Sequence, residues 1–379
     1  MASTRITIRD IAARAGLHFT TVSLALRDSP QLNIDTRARI KKLARDMGYR
    51  PDPMLSALQA HKRTRRNPHY QATIAWINNW PQRDDLLKIP EFHEYRRGAE
   101  ERAAELGYLV EEFWTHDPAT SPAKLRAILR ARGIQALLVA PQPRPRTWLE
   151  FDYTDFSAIA FGYTLQPPLL HVVTNHQAHS VNLLLEKLWS LGYRRPGMYI
   201  SRNWDEKVGY NWISGMMLSR WLHPTLARLP LVIDNAGRNT SAMAAWIKKH
   251  RPDVVITFSN NFVYLQGTGL RIPEDIGFAS LNVGETDTHI SGIRQNDRFI
   301  GRKAIDLLVD MVHRNERGIP EIPVRTLVEG VWCPGKTLRK PGASPAGRQT
   351  ATHANRNPSR GGSPSARLSP NAPKPRRAD

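Results

Sequence analysis

The chain has 379 residues, 41% of them hydrophobic, with a formal net charge of +20 and one cysteine, Cys333. A lone cysteine excludes an intramolecular disulfide, and without an apolar leader or a run of membrane length the expectation is a cytoplasmic, nucleoid-associated protein. The positive charge sits at the ends: residues 1–66 hold 14 Lys and Arg against 5 Asp and Glu, and residues 341–379 hold 7 against 1. This distribution is the footprint of a nucleic-acid partner and implies affinity that falls steeply with salt.

In residues 6–60, Thr7 followed three positions later by Asp10 makes a capping-box variant that opens a helix. Ile8, Ile11 and Ala12 recur at helical spacing until Gly16 ends the run. A second helix starts near Phe19, with Val22 and Leu26 directed inward. Asn33, with Thr36 three residues on, caps a third helix whose apolar stripe is Ile40, Leu43, Ala44 and Met47. Gly48 closes it and Pro51 prevents its resumption. Three short helices joined by a tight turn predict an all-α helix-turn-helix domain over residues 5–50, with the second helix entering the major groove. Phe19, Thr20 and Leu24 lie on its outer face, and Thr21, Ser23, Asn33 and Tyr49 suit phosphate oxygens. Any one of these hydroxyls reads equally well as a solvated cap or turn.

The segments IRDIAARAGLHFTTVSLALR and TRARIKKLARDMGYRPDPMLSAL resemble the LacI/GalR family of bacterial transcription regulators. The resemblance implies that residues 51–69 form a hinge. On the operator it would fold into a short helix and wedge Leu58, with Gln59 beside it, into the minor groove. Met54, Leu55 and Leu58 form the apolar face such a wedge needs. Two residues depart from the family pattern. His18 replaces the usual Ser or Thr before the second helix, which weakens that cap. Leu24 stands where Arg or His is common; a leucine cannot pair bidentately with guanine, but it can meet a thymine methyl.

After a basic linker at 61–68, strands alternate with helices. Strands are predicted at 72–78, 108–114, 134–140, 157–161, 197–200, 231–233, 253–258 and 276–281. Helices are predicted at 91–106, 124–132, 180–191, 212–221, 242–249 and 300–314. The alternation predicts an α/β core with parallel sheets, and its length predicts two lobes with a ligand cleft between them. YRRGAEERAAELGY, LGYRRPGMYIS, IPEDIGFASLN, SGIRQNDRFIGRKAIDLL and LVEGVWCPGKTLR resemble the family's periplasmic-binding-protein-like core, over residues 70–338. Candidate effector contacts are Asn78, Asn79, Trp80, Phe92, Trp212, Asn260, Asn261 and Asn282, since amides read hydroxyls and aromatic faces stack on sugar rings. Each also reads as a core aromatic or a turn-forming Asn. Many family members carry Arg at the place of Trp212 and Asp at those of Asn261 and Asn282. The resemblance thus implies a neutral, carbohydrate-like effector here.

Other signals carry no chemistry. No Cys/His spacing suits structural zinc, and His171, His176 and His179 read as satisfied or exposed. Gly267-Thr268-Gly269 lacks the Lys-Ser/Thr of a P-loop, and no nucleophile elbow is present. No enzyme activity, metal or cofactor is expected. Residues 339–379, rich in Pro, Ser, Gly and Arg, are expected to be a disordered basic tail. The expected function is a regulator acting as a repressor. It would bind a pseudo-palindromic operator as a homodimer under control of the cleft ligand. An architectural DNA binder with a vestigial cleft, and a sugar binder with a degenerate head, are the alternatives.

Overall fold

The computed structural model describes residues 6–26, 32–49, 72–225, 228–229 and 239–339. The expected hinge at 51–69, the strand at 231–233 and the tail beyond Arg339 lie outside the described residues.

The head contains α1 (Ile8–Ala15), α2 (Phe19–Leu26) and α3 (Ile34–Asp46). They close on one small core of Ile11, Ala12, Val22, Ala25, Ile40 and Ala44. The expected capping box is formed: the Thr7 hydroxyl accepts from the Asp10 N–H, and the Asp10 carboxylate accepts from the Thr7 N–H at 2.7 Å. Gly16 ends α1 in the left-handed region, at φ 66°, where a side chain would be strained. Ala25, rather than Leu26, is the second fully buried residue of α2. This sets the rotation of that helix.

The core begins with β1 (Ala72–Asn78), α4 (Pro90–Glu105), β2 (Tyr108–Trp114), α5 (Pro122–Ala131), β3 (Ala136–Val139), β4 (Ser157–Phe161) and β5 (His171–Asn175). It continues through α6 (Gln177–Ser190), β6 (Pro196–Met198), α7 (Arg202–Lys207), α8 (Asn211–Leu222), α9 (Thr240–His250), β7 (Val254–Thr257), α10 (Phe262–Gln266), β8 (Gly277–Ser280) and β9 (Gly292–Arg294). It closes with α11 (Asp297–Arg314), β10 (Arg325–Val328) and β11 (Val331–Cys333).

Two sheets result, in the orders β10-β5-β4-β3-β1-β2 and β11-β9-β8-β7-β6. Among the described residues every strand pairing is parallel except β11 with β9. Strands with both faces covered read as continuous apolar runs, and β3, β4 and β7 are buried throughout. The strand order shows what chain order concealed. Among the described residues the chain crosses between lobes three times, at 175–177, 294–297 and 328–331, so each lobe is assembled from separated segments. Four strands escape the periodicity reading: β5, β9, β10 and β11. They are three to five residues long, and their pairing rather than their composition makes them strands.

Helix α11 returns to the first lobe and packs on α4 at two glycines. A Cβ on Gly98 would fall 1.9 Å from the Arg298 carbonyl oxygen, and one on Gly301 2.0 Å from that of Tyr95. Ion pairs flank the contact, Arg102 to Asp306 at 2.6 Å and Arg302 to Glu105 at 2.9 Å.

Candidate nucleic-acid interface and ligand cleft

With Val22 and Ala25 buried, helical geometry turns Thr20, Ser23 and Leu24 away from the head core. Phe19 is exposed at the helix start. The His18 ring engages the Thr20 hydroxyl, and the His18 carbonyl accepts from the N–H groups of Thr21 and Val22. The ring contact is to a side chain and not to an α2 backbone N–H, so it does not supply the side-chain cap that a Ser or Thr gives. Asn33 does cap α3, but its side chain accepts from the Asp35 N–H at 3.1 Å rather than from Thr36. Tyr49 folds its ring against the head core. Leu58 and Gln59 lie outside the described residues.

Between the lobes is an inner chamber of about 80 Å³. Phe92, Tyr95, Trp204, Trp212 and Phe258 supply aromatic walls, and Thr174, Asn175, Gln177, Lys207, Asn282 and Gln295 supply polar groups. A wider cavity of about 530 Å³ shares Glu91, Phe258 and Asn282 with it. A third, of about 140 Å³, shares Asn260 with the wider cavity and adds Asn261. Phe92, Trp212, Asn260, Asn261 and Asn282 thus border inter-lobe space. Asn78, Asn79 and Trp80 line none of these cavities. Asn78 is fully buried, donating to the Arg83 carbonyl and Glu112 and accepting from the Trp80 N–H. Asn79 donates to Gln142 and accepts from Thr115. The Trp80 indole donates to the Pro141 carbonyl at 2.7 Å. These three organise the loop after β1, because the strand end is buried and its polar atoms must find partners there.

Trp212 is positioned by a group that sequence reasoning passed over. Helix α8 starts from Tyr210 in a left-handed conformation with no side-chain cap. Buried Asp205 supplies one from α7, its Oδ1 accepting from the Trp212 N–H at 3.1 Å and the Ile213 N–H at 3.3 Å. Burial pushes the Asp205 carboxyl up to about 6. Asn282 is held similarly, its Oδ1 accepting from the Gln295 N–H and its Nδ2 donating to Asp297 at 2.7 Å.

Ionisable side chains also reach the cleft, Glu91 and Lys207 in the inner chamber and Asp297 in the wider cavity. Lys207 reaches the chamber with its ammonium 4.7 Å from the Trp204 ring centre and 5.7 Å from that of Trp80, a cation held over aromatic faces. Asp297 lines the wider cavity. The residue as a whole is half-buried, but its Oδ1 is sealed and has no hydrogen-bond partner. Burial first, then the neighbouring Glu91 carboxylate, push its carboxyl up to about 8, so near neutrality it holds a proton. Its place in the RQNDRF run is visible in the sequence; its burial is not. Gln177 Oε1, on the chamber wall, is likewise buried without a partner.

Residues 7–52 match the family model for bacterial regulatory proteins of the lacI family, and residues 185–333 match that of a periplasmic binding protein-like domain. The HTH-type transcriptional regulator GalR of Streptococcus thermophilus is 28% identical over 151 residues, 39% of this chain and 43% of that protein. The HTH-type transcriptional repressor CytR of Escherichia coli K12 is 33% identical over 112 residues, 28% of this chain and 27% of its own. The chain therefore spans less than half the length of these curated relatives. Among solved structures, a lac repressor dimer bound to operator and the anti-inducer ONPF aligns with TM-score 0.51 at 14% identity, covering 89% of this chain and 100% of that one. A transcriptional regulator CelR–cellobiose complex aligns with TM-score 0.50 at 16% identity, covering 88% and 100%. These two likenesses establish the fold. The chain thus carries a helix-turn-helix head of the lacI family over residues 7–52, followed by a core with a periplasmic-binding-protein-like domain over residues 185–333.

Proposed function

We propose that the protein is a sequence-specific DNA-binding transcription regulator, a repressor acting as a homodimer on a pseudo-palindromic operator. A small, neutral, polyhydroxylated effector bound between the lobes would control it. The observation that carries the DNA reading is the outward face of α2, with Thr20, Ser23 and Leu24 turned from a head core that Val22 and Ala25 anchor. Phe19 and Thr20 at its start meet base edges, Leu24 meets a thymine methyl, and Thr7, His18, Thr21, Ser23, Asn33, Thr36 and Tyr49 set register on the phosphates. Two heads related by a two-fold axis read inverted half-sites.

For the effector, support comes from the partnerless Gln177 Oε1 among amides and aromatic rings in the inner chamber. Hydroxyls both donate and accept, as that mixture requires, and sugar ring faces stack on indole. Asp297 with its proton on adds no charge near neutrality. A structure of this fold is described as a cellobiose complex, which is in keeping with the same ligand class. The chamber is smaller than the roughly 300 Å³ or more typical of ligand sites. A ligand filling the inner chamber therefore requires the lobes to part at the three crossovers, and this couples ligand to head geometry.

Selection from a random duplex library at near-physiological salt tests the first part. A two-fold-symmetric motif is expected; salt-sensitive binding without a motif would hand the reading to a non-specific architectural role. A thermal-shift panel tests the second. Stabilisation by neutral carbohydrates is expected, and stabilisation by acidic metabolites alone would overturn it.

A further inference from the structure

We propose that His176, His179 and Glu329 form a divalent transition-metal site on the crossovers that join the two lobes. His176 occupies the N-cap position of α6 at the first crossover, and His179 follows three residues later on the same helix face. Their ring centres are 5.3 Å apart. Glu329 arrives from the third crossover, about 150 residues away. Its Oε1 lies 2.8 Å from His176 Nδ1, and its Oε2 partners His179 Nδ1. The three ligand atoms all lie within 4.8 Å of one another. Metal–ligand bonds of about 2.0–2.2 Å separate tetrahedral ligands by roughly 3.3 Å, so small side-chain rotations admit an ion.

Both ligand segments are held by their backbones. The His176 N–H donates to the Val328 carbonyl at 2.9 Å. Asn296, from the second crossover, donates its Nδ2 to the Glu329 carbonyl at 2.8 Å. The three crossovers therefore meet at the site, and an ion there ties the first to the third. The side chains remain 35%, 52% and 55% exposed in the order His176, His179 and Glu329, which gives an ion a path from solvent and leaves its fourth position to water. Two imidazoles and a carboxylate suit Zn²⁺, Ni²⁺ or Cu²⁺ and not the oxygen-seeking Mg²⁺ or Ca²⁺. His171 stands apart. Its Nδ1 accepts from the Val324 N–H, so its Nε2 donates to Glu316 and the ring is fully used.

The site was invisible in sequence because its carboxylate is so distant along the chain. Bound metal would oppose the lobe parting that the proposed effector requires, but the site itself stands without that reading. The test is titration of the untagged full-length protein with Co²⁺, followed by its visible absorption, and with Zn²⁺ by calorimetry, without DNA or sugar. One equivalent per chain is expected. His179→Ala and Glu329→Gln should each weaken it roughly ten-fold or more with unchanged circular dichroism. Equal binding by parent and variants, or no binding by the parent, would overturn the proposal and leave Glu329 as a shared hydrogen-bond acceptor for two imidazoles.

Discussion

Asp297 offers a sharp test of the cleft, through Asp297→Asn. Its carboxyl is pushed up to about 8 by burial and by Glu91, whereas an unfolded aspartate titrates near 3.9, at about 1.4 kcal/mol per unit of difference. An acid raised in this way keeps its proton in the folded state while the unfolded chain loses it. Its contribution to stability is therefore whole below about pH 4, declines as pH rises, and levels off above about pH 8. Between about pH 6 and pH 8 the wild-type protein should lose about 2 kcal/mol through this group. The asparagine variant keeps an oxygen that can accept from Asn282 and has no proton to lose, so it should lack that part of the slope. Urea unfolding of full-length wild type and variant at both pH values isolates this contribution, because the two proteins differ at no other titratable residue. Identical slopes would mean that Asp297 is ionised in the folded protein, and the account of a charge-free acid beside Asn282 would fail.

Removing the capping hydroxyl with Thr7→Ala should cost the head about 1 kcal/mol, seen as faster hydrogen exchange of the α1 amides. Gly301→Ala places a Cβ 2.0 Å from the Tyr95 carbonyl oxygen, so α4 and α11 must separate; a loss of about 1–3 kcal/mol in urea unfolding is expected. Leu24→Ala should relax base preference at one position of each half-site and leave the salt dependence of binding unchanged. A changed salt slope would place Leu24 outside the groove.

The head was the most legible part of the chain, because its signals are local. Thr7 with Asp10, Gly16 and Asn33 act on their own turns, so spacing alone located three helices and the ends of the first and third. The α/β alternation of the core was legible for the same reason: long apolar runs and amphipathic helices record burial directly. The short strands β5 and β9 to β11 were not, since an edge or crossover strand of three to five residues acquires its identity from a partner elsewhere.

Site residues divide along the same line. Phe92, Trp212 and Asn282 border inter-lobe space as their strand-end or helical positions suggested, yet Asn78 and Asn79, equally plausible by type, consume their amides inside the first lobe. Residue type says what an amide can do; only the neighbours in space say whether it is already occupied. Asp297 beside Asn282 and Glu329 between two histidines are likewise products of the crossovers between lobes. The sequence by itself determined a DNA-reading head and a two-lobed core, because helix caps and apolar periodicity are short-range. Tertiary structure alone decided which polar groups face the cleft and which titrate abnormally, because desolvation and hydrogen-bond competition depend on segments distant in the chain.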